Sequence, residues 1–109
     1  MGVIRMNETA LSCNPKEFKD LLFKFGKVIV VVDKIENDYS RTCQLGEKLI
    51  AEPGRPPFSA AKRYIIGLKD KLIYSRVTQK RDKSKFYVLG IGEVALCDVI
   101  IWCNAKKMR

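Results

Sequence analysis

The stretch KVIVVVDKI, Lys27 to Ile35, decides the fold. Its five consecutive β-branched residues, Val28 to Val32, favour a strand by propensity. Val28, Val31, Val32 and Ile35 also fall on one helical stripe, and burial can override propensity. The run leaves both readings open, and its neighbours must choose.

Upstream, Met1 to Cys13 shows no sustained period and reads as an arm or a short capping strand. NPKEFKDLLFKFG then carries a helix start, with Asn14 as N-cap, Pro15 at the first helical position and Glu17 in the first turn. Phe18, Leu21, Leu22 and Phe25 follow at helical spacing and give that helix one apolar face.

Downstream, Asp38 to Thr42 is a turn with capping candidates. CQLGEKLIAE after it reads as a short helix with Leu45, Leu49 and Ile50 inward. Pro53-Gly-Arg-Pro-Pro57 stops it, because proline lacks the amide donor. Ser59 can cap a second helix to about Lys71, whose Ala61, Ile65, Leu68 and Leu72 lie within about 60° of one another. Ser59, Arg63, Ile66, Gly67 and Asp70 take the opposite surface, with Lys62 at its margin.

Leu72 to Val77 and Phe86 to Leu89 alternate enough to pair as strands around a tip made by Gln79 to Lys85. From Glu93, EVALCDVIIWCNAKKM has no breaker and a basic last turn, so it reads as a closing helix, with a third strand as the alternative.

A chain of 109 residues that is 47% hydrophobic suits one domain with one core. The net charge is +9, and the 27 residues from Ser59 to Lys85 hold nine basic and two acidic side chains. Such concentration is the footprint of a nucleic-acid binder, although an anionic membrane or an acidic protein would feel the same field. No run approaches the roughly 18 apolar residues of a membrane span, and the start lacks signal-peptide character. A cytoplasmic, intracellular protein with no membrane partner is the expectation. Cys13, Cys43, Cys97 and Cys103 occur without histidine or a Cys-x-x-Cys pair, short of zinc-site spacing. Buried thiols are the expectation, a disulfide being plausible mainly in a hyperthermophile, and no metal or cofactor is expected.

Three segments carry a family resemblance. TCQLGEKLIAE resembles a supporting helix, FSAAKRYIIGLKDKLIYSR a recognition helix leading into a first wing strand, and KFYVLGIGEVA a second wing strand before a closing helix. From about Asp38 to Gly92 the chain resembles a winged helix-turn-helix DNA-binding domain, nearest in pattern to small dimeric regulators of the MarR, ArsR and PadR type. It departs in a turn stiffened by Pro53, Pro56 and Pro57, and in Lys71 where a glycine often stands.

The resemblance implies a mainly α fold with a small β-hairpin wing: an arm over 1–13, a winged-helix core over 14–92 and a C-terminal dimerisation helix over 93–109. It assigns Val28 to Ile35 to a helix. The alternative is an α+β domain with Lys27 to Ile35 as a central strand.

The function implied is a sequence-specific, double-stranded DNA-binding transcription regulator, a homodimeric repressor and not an enzyme. Ser59, Lys62 and Arg63 would read bases in the major groove. Arg41, Thr42, Arg55, Arg76, Lys80, Arg81, Lys83 and Lys85 would hold phosphates. Val94, Val99, Ile101 and Trp102, more apolar surface than one small monomer was expected to bury, would form the dimer contact. Two rivals stand beside this: a small basic adaptor or inhibitor of an acidic protein or RNA, and a metal-dependent nuclease built on Asp33, Glu36 and Asp38.

Overall fold

Val28–Val31 is a strand, and the β-branched run keeps the conformation its propensity favours. Val28, Val30 and Val32 are buried while Ile29 and Val31 are only half-buried, so burial alternates with period two. The structure, a computed structural model, describes residues 7–34, 43–54, 59, 62–79, 81 and 84–108.

In chain order the elements are β1 (Glu8–Ala10), α1 (Pro15–Phe25), β2 (Val28–Val31), β3 (Lys48–Pro53), β4 (Arg63–Gly67), β5 (Leu72–Gln79), β6 (Lys85–Val88), β7 (Gly92–Ala95) and β8 (Ile101–Lys107). A 3-10 turn, Leu96–Asp98, lies between the last two strands. The strands form one sheet in the order β1-β2-β3-β8-β4-β5-β6-β7. β1 and β2 are parallel, with α1 as their crossover; every other pair is antiparallel.

α1 forms as its sequence implies. The Asn14 side chain accepts from the Lys16 amide, Pro15 opens the first turn, and Gly26 closes the last at φ 76°. Phe18 and Leu22 are fully buried against β2, β3 and β4. β4 ends in Gly67, where the side chain of its β8 partner Ile101 leaves no room: a Cβ there would lie 2.7 Å from Ile101 Cγ2, and in ordinary contact, 3.5 Å, with Pro15 Cβ of α1.

Two cores use opposite faces of the sheet. The first, under α1, joins Phe18, Leu22, Val28, Val30 and Leu49 with Ile65, Tyr74 and Cys103. The second joins Tyr64, Ile66 and Ile73 with Val77, Phe86, Val88 and Val94, and Trp102 packs against it with its ring 4.8 Å from that of Phe86. β5 connects them: Leu72 to Arg76 pair with β4, and Val77 to Gln79 pair with β6. At the changeover the buried Ser75 hydroxyl donates to Leu89 O at 2.7 Å, so burial leaves its oxygen partnered.

The winged helix-turn-helix reading is thereby corrected: one helix and an eight-stranded mixed sheet replace a mainly α fold. The helix expected over Val28 to Ile35 is not formed in its described part, Val28 to Lys34, and of the two readings the α+β alternative is the nearer, although Val28–Val31 lies second from the sheet edge and not at its centre. The supposed supporting helix is a turn followed by β3, and the supposed recognition helix contains β4. The closing helix is β7, the 3-10 turn and β8. The physical reason is two-sided burial. In RYIIG, Tyr64 and Ile66 fill one core and Ile65 the other, so both strand parities are apolar and a helical template finds matches among them. The hairpin of β5 and β6 is present, but as part of the large sheet.

Candidate nucleic-acid interface

Side-chain alternation along β5 sorts its residues between faces. Ile73 and Val77 enter the second core, which puts Tyr74, Arg76 and Thr78 on the face that carries α1. On β6, Phe86 and Val88 enter the second core, which puts Lys85 and Tyr87 on that same face.

The register then assembles a surface. Arg76 stands directly opposite Arg63 of β4, and Thr78 directly opposite Tyr87 of β6. Arg76, Thr78 and Lys85 are exposed, Arg63 is half-buried, and Tyr87 keeps 43% of its surface open to solvent. Among the described residues no acidic side chain forms an ion pair with Arg63 or Arg76. Glu93 of β7 lies opposite Tyr87 and pairs with Lys85 at 3.3 Å, so the acid sits on the far side of the patch from the arginines.

Near the arginine pair lies a small polar cluster. Burial, and then the Glu47 carboxylate that accepts from it, push the Cys43 thiol up to about 11, while Lys107 and Arg63 act in the opposite sense. Glu47 is held below the ordinary carboxylate range by that thiol and by Lys107, whose ammonium lies 3.3 Å from Oε2 as an ion pair without hydrogen-bond alignment. Burial raises Tyr74, with Cys43 and Glu47 adding to it and Arg63 offsetting it. Glu47 is thus engaged by Cys43 and Lys107.

Of the residues expected to touch DNA, Arg63, Arg76 and Lys85 are brought to one face. Ser59 and Lys62 are not on a helix: the Ser59 amide donates to the Tyr64 hydroxyl at 2.8 Å, and Lys62 lines an open depression of about 560 Å³ with Tyr64, Asn104 and Lys106. Arg81 is exposed beyond the end of β5. Arg41, Thr42, Arg55, Lys80 and Lys83 lie outside the described residues. Thr78 and Tyr87 were missed by sequence reasoning, although the alternation in KFYVL places Tyr87 beside Lys85 and away from Phe86 and Val88.

The four residues expected to dimerise are packed within the chain. Val94 belongs to the second core and Ile101 to the first, while Val99 and Trp102 pack against the second. Val94 and Ile101 are buried, whereas Val99 and Trp102 are half-buried. Asp33 accepts from the Ser12 amide at 3.0 Å and from its hydroxyl; Glu36 and Asp38 lie outside the described residues. Among the described residues no three histidine, cysteine or acidic side chains are grouped to hold a metal ion, and no helix is long and apolar enough to cross a membrane.

Comparison of the chain with protein-family models, with curated proteins and with solved structures returns no match.

Proposed function

We propose that this protein binds nucleic acid on the α1-bearing face of β4, β5 and β6, gripping the phosphate backbone with Arg63 and Arg76. The observation that carries the reading is the Arg63–Arg76 pair. Like charges directly opposite across two strands destabilise a sheet, at roughly 0.2–1 kcal/mol for such pairs. A phosphate placed against two guanidinium groups relieves that repulsion and can accept paired hydrogen bonds. The net charge of +9 supplies the long-range attraction.

Reading base edges with an inserted helix is not part of this proposal, because Arg63 begins a strand and α1 is docked through Phe18 and Leu22. An intracellular setting accords with it: nucleic acid is found there, and Cys13, Cys43, Cys97 and Cys103 are free thiols.

The test is binding of labelled oligonucleotides, single-stranded and duplex, across a salt series. Replacing both arginines, Arg63→Ala with Arg76→Ala, should flatten the slope of log K against log salt by about 1.4 on a single strand, at about 0.7 per phosphate contact. Unchanged binding by the double variant, or competition by polyglutamate as effective as that by an oligonucleotide of equal charge, overturns the proposal in favour of no site here or of an acidic protein partner.

A further inference from the structure

We infer that the nucleic acid held on this face is single-stranded, with Tyr87 as the platform on which one of its bases stacks. The inference rests on the nucleic-acid reading above and adds the class of strand and a contact to the base.

Three observations support it. Tyr87 sits on the same face as the arginine pair, and its exposure of 43% contrasts with Phe86 and Val88, its neighbours in sequence, which are fully buried. Its ring is therefore not needed by the second core, and it leaves an aromatic surface open beside cations. Thr78, directly across from it, lies two residues along β5 from Arg76, roughly 7 Å at strand rise. An extended strand with a phosphate at the arginines can therefore present a base near Tyr87. Finally, α1 is docked on this face through Phe18 and Leu22, and among the described residues the rest of the face is built of strands, with no second helix to enter a groove. In a duplex the faces of interior bases are already stacked on each other, so an aromatic ring on a sheet can pair only with a base that has been freed.

Glu93 sets the direction. It lies opposite Tyr87 on β7 and holds Lys85 at 3.3 Å, so the bound backbone is repelled from the β7 side and runs from Tyr87 toward Arg76 and Arg63.

The experiment compares three probes of equal length: oligo-dT, a duplex, and an abasic single strand that keeps the phosphates and lacks the bases. The wild-type chain should prefer oligo-dT to both others. Tyr87→Val, which keeps strand propensity, should lose about ten-fold on oligo-dT and nothing on the abasic strand, whereas Tyr87→Phe should retain wild-type binding. Trp102 emission, reporting the second core, checks that each variant is folded. Should the valine variant misfold, ultraviolet crosslinking of the wild-type chain to a bromouracil-substituted strand must place the adduct on Tyr87. Equal binding of oligo-dT by Tyr87→Val and wild type, or an adduct elsewhere, overturns the stacking contact. If the arginine double variant still loses binding in that case, the backbone reading survives; if no probe binds, both fall.

Discussion

Arg63 and Arg76 stand opposite each other on β4 and β5, both on the face that carries α1, and no described carboxylate pairs with either. The arrangement sets stability against binding. Arg76→Thr, which removes the charge and places a residue of high strand propensity there, should raise stability by up to about 1 kcal/mol while weakening oligonucleotide binding. Urea denaturation and binding isotherms on the same variant check it; a variant that is less stable and binds unchanged removes the repulsion argument.

Gly67 is fixed by space and not by its backbone angles. A methyl group there would stand 2.7 Å from Ile101 Cγ2, with Pro15 of α1 also in contact. Gly67→Ala should therefore cost about 1–3 kcal/mol by overpacking, seen as a lower urea midpoint at unchanged m-value.

Asn14 holds the first turn of the helix that covers the first core. Asn14→Ala should cost about 1 kcal/mol, and Asn14→Gly only a few tenths, in thermal or urea unfolding. A variant as stable as wild type means that packing of Phe18 and Leu22 holds α1 without its cap.

The Ser12 hydrogen bonds hold the Asp33 carboxyl below its ordinary value. A carboxylate depressed in the folded state stabilises above its unfolded pKa, and the contribution is lost as pH falls through the folded value. Ser12→Ala should thus be less stable than wild type at neutral pH, with the gap closing as pH drops below about 4. A gap that persists at low pH assigns the effect to something other than this pair.

The thiols should separate by reactivity. Burial pushes Cys103 up to about 12 and, with Glu47, Cys43 up to about 11, whereas Cys97 is exposed. Alkylation of the native protein at neutral pH should label Cys97 first and leave Cys43 and Cys103 until the chain unfolds. Mass spectrometry of digested, time-quenched samples reads the order.

The parts legible in the sequence are those with local causes. The Asn14 cap, Pro15 and the spacing of Phe18 and Leu22 specify α1 within a dozen residues, and its boundaries follow. The β5–β6 hairpin shows in alternating residues on either side of a charged tip. The candidate site was half visible: the charge concentration pointed to Arg63, Arg76 and Lys85, but on a helix and a wing, and Tyr87 was passed over.

By itself, then, the sequence determined one capped helix, one hairpin and a basic segment, because capping, turn chemistry and charge act over a few residues. Only the tertiary structure decided that RYIIG and the β8 run IWCNAKK are strands, since burial from two sides makes both parities apolar over Tyr64 to Ile66 and Ile101 to Cys103 and leaves no period to read there. It alone also decided that Arg63 meets Arg76 and Thr78 meets Tyr87. Which residues face each other is a property of register, and a register shifted by one residue would turn the same side chains to the opposite face.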